Sequence, residues 1–74
     1  MTPPPARMPW PTDPDERLAR LVHDLRTPLT IVEGFADALA TRGDQMSVED
    51  RAEYIERIGD AAREMRELLD GVRR

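Results

Sequence analysis

Leu18, Leu25, Val32 and Leu39 recur every seven residues, and Leu21, Phe35 and the flanking Val22, Leu29 and Ala36 widen that series into an apolar stripe on one side of a helix. The stripe opens after Asp13, a residue suited to the N-cap. Pro14 takes the first helical position, where its missing N–H is no loss, and Asp15 and Glu16 complement the dipole of the first turn. The periodicity continues past Pro28, so the pattern predicts one kinked helix over about 14–41 rather than two separate ones. A second series, Val48, Ile55, Ala62 and Leu69, also repeats at seven and is accompanied by Ile58, Met65 and Val72, although Arg51 spoils the first occurrence of that companion position. It predicts a helix over about 48–73. Between the two helices, residues 42–46 read as a loop, with Gly43 suited to a left-handed C-terminal cap and Ser47 to the next N-cap, Asp50 lying three residues on.

At about 1.5 Å rise per residue the two helices would be roughly 42 and 39 Å long, similar enough to lie side by side as an antiparallel hairpin. Two helices alone enclose no core. A second copy supplies the missing half of a four-helix bundle, the simplest way to bury both stripes, so the expected fold is all-α, a hairpin that forms a homodimeric bundle. The helical module takes residues 14–74. Before it, residues 1–13 form a Pro-rich arm: six of the seven prolines fall within the first 14 residues, a composition that blocks helix and sheet pairing and favours a flexible, extended chain. Trp10, between Pro9 and Pro11, is assigned no role.

Composition narrows this picture. A chain of 74 residues is near the lower limit for a core without disulfides, metal or oligomerisation. With no Cys and a single His, thiolate sites, disulfides and a zinc site are excluded, so the core rests on packing and on self-association. Eleven Lys and Arg against 15 Asp and Glu give a net charge of -4, which argues against nucleic acid as a partner. No apolar run approaches the roughly 20 residues of a membrane span, and the Pro-rich start lacks the apolar stretch of a signal peptide. The chain reads as soluble and cytoplasmic.

Candidate chemistry lies on the face opposite the stripe. Turning at about 100° per residue, His23 stands roughly 140° from Leu18 and therefore faces solvent. Thr27, Thr30 and Gly34 share that outward face. Ile31 borders it, an apolar residue where a solvated helix prefers charge, which marks a candidate contact surface.

The stretch LVHDLRTPLTIVEGFADAL, residues 21–39, resembles the phosphoacceptor motif of sensor histidine kinases, the HisKA-type dimerisation and histidine phosphotransfer domain. Its most specific part is His-Asp-Leu-Arg-Thr-Pro-Leu-Thr at positions 23–30, and the likeness extends more loosely over a second helix at 48–73. The resemblance implies that His23 is phosphorylated, an imidazole nitrogen attacking the γ-phosphoryl of ATP to form a phosphoramidate that is later passed to a response-regulator aspartate. A neutral imidazole is nucleophilic near pH 7, as this role needs. Asp24 matches the acidic residue that orients the imidazole and accepts its proton. Because adjacent helix residues diverge by about 100°, it must reach back by choice of rotamer. Thr27, one turn beyond His23, completes with Asp24 the acidic-x-x-Thr pattern associated with regulator phosphatase activity. A hydroxyl there would position a hydrolytic water, the alternative being a Thr bonded back to its own helix.

The remaining motif positions carry supporting roles. Pro28 implies a hinge, and Arg26, Thr30, Ile31 and Gly34 a docking surface for partners. Arg26 suits either phosphate charge or a surface ion pair. Gly34 leaves the outward face flat, and Gly59 is suited to close helix packing. No metal site is expected. The four glycines make no phosphate-cradling loop, so the chain is expected to bind no cofactor itself and to act as the acceptor component of a kinase. ATP, with Mg, would sit on a separate catalytic domain, and the other partner would be a receiver domain. Both a piece of a longer kinase and a small stand-alone acceptor stay open. The alternative function is a non-catalytic dimeric module that titrates a kinase or regulator.

Overall fold

The computed structural model describes residues 13–72. The N-terminal arm up to residue 12, with Trp10, and the last two residues, including the expected end of the second helix at 73, lie outside the described residues. Helix α1 spans Pro14–Arg42, a single 3-10 turn covers Gly43–Gln45, and α2 spans Val48–Val72. Among the described residues there is no strand.

Both helix starts form as their residues dictate. Asp13 caps α1: the Asp15 N–H donates to its Oδ1 at 2.8 Å, and the Arg17 N–H to its carbonyl at 2.9 Å. Ser47 caps α2, its Oγ accepting from the Asp50 N–H at 3.0 Å and its carbonyl from the Arg51 N–H at 3.0 Å. The connection between the helices differs from the expectation. Gly43 has φ −55° and ψ −37°, right-handed helical values, and no described residue has positive φ. The chain therefore does not leave α1 through a left-handed cap. It tightens into one 3-10 turn, with the Gly43 N–H donating to the Leu39 carbonyl and the Met46 N–H to the Gly43 carbonyl at 3.2 Å, so the Leu39 carbonyl is met without a special backbone conformation.

Helix α1 runs unbroken through Pro28. A proline in a helix interior costs about 3 kcal/mol, because it removes one hydrogen bond and crowds the carbonyl four residues back, here that of Asp24. Burial offsets this: Pro28 has less than 2% of its surface exposed. It belongs to a seam at alternating spacings of four and three, Leu21, Leu25, Pro28, Val32, Phe35 and Leu39, all buried or half-buried. On α2 the matching positions are Tyr54, Ile58, Ala61, Met65 and Leu68. Near the loop, Phe35 and Tyr54 pack edge-to-face with ring centroids 4.8 Å apart. Midway along, Ala61, 6% exposed, lines the same recess as Pro28, where a small side chain leaves room for the pyrrolidine ring.

The apolar stripe of each helix is wider than the other helix covers. Leu18, Val22 and Leu29 on α1, and Val48, Ile55 and Leu69 on α2, remain exposed in the single hairpin, Val48 by 73% and Leu18 by 61%. Full burial of such a side chain contributes about 1.5–3 kcal/mol, which the hairpin alone forgoes. This second face is what another copy covers in the homodimeric four-helix bundle. Gly59 serves no close approach inside the hairpin, since a Cβ there would meet only the Arg63 guanidinium at 3.7 Å. The outer faces carry ion pairs one turn apart, Glu53–Arg57, Asp60–Arg63 and Arg66–Asp70, which in solvent contribute little to stability. No described helix is long and apolar enough to cross a membrane.

Candidate functional site

His23 stands on the solvent side of α1, between the half-buried seam residues Leu21 and Leu25, and its side chain is 83% exposed. Asp24 does reach back to it. Its Oδ1 lies 3.3 Å from Nδ1 of the imidazole, and its own side chain is 33% exposed, shielded at the edge of the seam. When Nδ1 carries the proton and donates it to this carboxylate, Nε2 keeps its lone pair for an incoming electrophile. The second carboxylate oxygen, Oδ2, lies 3.7 Å from Nε of Arg20, one turn earlier.

Two shallow recesses flank the imidazole. One is lined by Asp24 and Thr27 from α1 and by Glu64 and Leu68 from α2. The other is lined by Arg26, Thr27, Thr30 and Ile31. From Thr30 and Ile31 a further groove runs toward the loop past Gly34, Phe35 and Arg42, with Tyr54 on its far side. The structure thus brings His23, Asp24 and Thr27 together, and places Arg26, Thr30, Ile31 and Gly34 along one continuous surface leading away from them. Among the described residues no hydrogen bond engages the Thr27 hydroxyl, whereas that of Thr30 donates to the Arg26 carbonyl at 2.9 Å. Back-bonding to the helix is therefore the arrangement of Thr30, not of Thr27.

Sequence reading overlooked Arg20, Glu64, Leu68 and Tyr54. The spacing of four between Arg20 and Asp24 was a usable signal. The other three approach only through the register of α2 on α1, which no local pattern states. Among the described residues no three carboxylates or imidazoles gather closely enough to hold a metal ion.

Residues 15–74 match the model of the His Kinase A (phospho-acceptor) domain. The chain belongs to the His Kinase A family. The matched span takes in both helices and the connection between them, so the hairpin as a whole is the family's module for phosphoacceptance and dimerisation in histidine kinases. None of the curated proteins and none of the solved structures compared with the chain matches it.

Proposed function

We propose that His23 is the phosphoacceptor of a two-component signalling kinase and that it relays the group to an aspartate of a response-regulator receiver domain. The observation that carries this reading is the carboxylate of Asp24 at 3.3 Å from Nδ1 of an imidazole otherwise open to solvent. Nε2 attacks the γ-phosphorus of ATP held with Mg on a separate catalytic domain. The N–P bond forms as the bond to the ADP oxygen breaks, ADP leaving with that electron pair. The ring becomes more acidic as it gives up charge, and the Nδ1 proton passes to Asp24. Transfer onward reverses the roles, Asp24 returning the proton as the group moves to the regulator carboxylate. A dimeric module that only titrates a kinase or regulator would keep the open seam and the groove, but has no need of a carboxylate on Nδ1. Incubating the full chain with ATP-binding kinase domains and γ-labelled ATP tests the proposal. Acid-labile, base-stable label on the chain is expected, and acid-stable label, the mark of a hydroxyl acceptor, would overturn it.

Thr27 extends the reading to regulator dephosphorylation. Thr27 shares a recess with His23 and its hydroxyl is not hydrogen-bonded to the helix backbone, which leaves it available to orient water in line with a docked aspartyl phosphate. Thr27→Ala is expected to accept and pass on phosphate at His23 yet to dephosphorylate the regulator about 10-fold more slowly. Parallel loss of both activities would instead assign the hydroxyl to local folding or docking.

Gly34 supports docking along the groove. A Cβ at this position would meet nothing within 4 Å, so nothing in the hairpin requires a glycine there. The helix nonetheless gives up about 1 kcal/mol relative to alanine. A partner whose backbone or side chain closes on this spot accounts for the loss. Gly34→Ala is expected to raise the stability of the module by about 0.5–1 kcal/mol in denaturant unfolding while slowing transfer to the regulator. Unchanged transfer in the stabilised variant would remove Gly34 from the docking surface.

A further inference from the structure

We propose that Arg20 is a positioning residue for the acceptor: its ion pair with Asp24 holds the carboxylate on Nδ1 of His23 and so sets which ring nitrogen carries the proton. This inference rests on the reading of Asp24 given above and adds a residue that lies outside the phosphoacceptor motif, residues 21–39.

The argument starts from helix geometry. Residues 23 and 24 point about 100° apart, so a carboxylate on Asp24 meets the imidazole only in conformations that swing it toward the neighbouring side chain, and solvent offers it others. Helix side chains incline toward the N-terminus, which carries Asp24 over the turn that holds Arg20. There the guanidinium engages Oδ2 at 3.7 Å while Oδ1 faces the imidazole at 3.3 Å. The two partners take different oxygens, so they do not compete. Each favours the conformation that the other needs. A bridging carboxylate of this kind loses fewer conformers when the imidazole binds than one free to turn into water, and the arrangement acts on His23 without Arg20 touching it. Arg20 is itself 52% exposed and Asp24 33%, so the pair is weak and open to screening by salt.

Neutral imidazole in water favours the proton on Nε2, the nitrogen that must be free to attack. A carboxylate held at Nδ1 reverses that bias, and the tautomer ratio therefore reports on Asp24 directly. His23 is the chain's one histidine, so its ring nitrogens give a single pair of signals in the uniformly 15N-labelled full-length protein. Their shifts, measured at alkaline pH where the ring is neutral, give the ratio. Arg20→Gln is expected to move it about twofold toward the Nε2–H form with helicity unchanged, and Arg20→Lys, which keeps the charge, to restore most of the difference. In the wild-type chain, raising salt to about 1 M is expected to move the ratio the same way, and to have little effect in Arg20→Gln. Asp24→Ala separates the two readings. If it shifts the ratio while Arg20→Gln and salt do not, the inference about Arg20 is wrong and that about Asp24 stands. If Asp24→Ala also leaves the ratio where it was, the carboxylate does not hold Nδ1 and both fall.

Discussion

Replacing His23 with Gln is expected to abolish acid-labile labelling of the chain by a cognate ATP-binding domain while leaving its helicity and assembly intact. Glutamine is a good helix former of similar reach and can still hydrogen-bond to Asp24, but its amide nitrogen has no lone pair available for attack on phosphorus. The side chain it replaces is 83% exposed and points away from both the hairpin seam and the open apolar face, so packing gives no reason for the fold to change. Far-UV circular dichroism and light scattering should therefore match wild type. Label falls to background because no other imidazole exists in the sequence. Label that persists on the variant at wild-type level would place the acceptor elsewhere and end the proposal for His23.

The second large effect is expected at Ile55, on the open face. In a lone hairpin Ile55 is 57% exposed, so an aspartate there would meet water and cost little. In the bundle the same carboxylate is buried without a partner, at a cost of several kcal/mol. Ile55→Asp should therefore dissociate the dimer, and because half the core leaves with the partner, helicity should fall with it. Leu25→Asp should act similarly, with added damage inside the hairpin, where Leu25 is half-buried. Multi-angle light scattering at micromolar concentration distinguishes a wild-type dimer from a monomer of 8.4 kDa. A wild-type chain that is monomeric and fully helical, or an Ile55→Asp variant that remains dimeric, would contradict the assignment of this face to a second copy.

How much of this was legible beforehand follows from where each signal resides. Helix extents and N-caps are local properties, and Asp13, Pro14 and Ser47 announced them within a residue or two. The outward direction of His23 follows from angle alone. The seam of α2 was only half legible, because the heptad reading weighted Val48, Ile55, Ala62 and Leu69, large or repeated apolar residues that the structure leaves on the open face. Tyr54 carries a hydroxyl and Ala61 almost no side chain, so neither stands out in a hydropathy pattern, yet they face Phe35 and the Pro28 recess inside the hairpin. Gly43 misled for a related reason. Glycine after a helix commonly marks a left-handed cap, but here the next turn begins so soon that the chain keeps right-handed angles. Within the site, the contact between Asp24 and His23 followed from family likeness and the spacing of Arg20 from Asp24 was there to be read, whereas Glu64 depends on the register of α2 on α1, which the sequence leaves open.

The same right-handed connection bears on how the module can change over generations. Gly43 has ordinary helical angles, and a Cβ there would meet nothing within 4 Å, so neither backbone nor space requires a glycine at the joint between the helices. What clamps α1 to α2 is the seam from Leu21 to Leu39; what links them is a separate short tether that carries little of the folding information. A substitution at Gly43 touches no residue of the clamp. The connector is therefore the part of the hairpin freest to vary in sequence, while the two helices and the seam between them are kept.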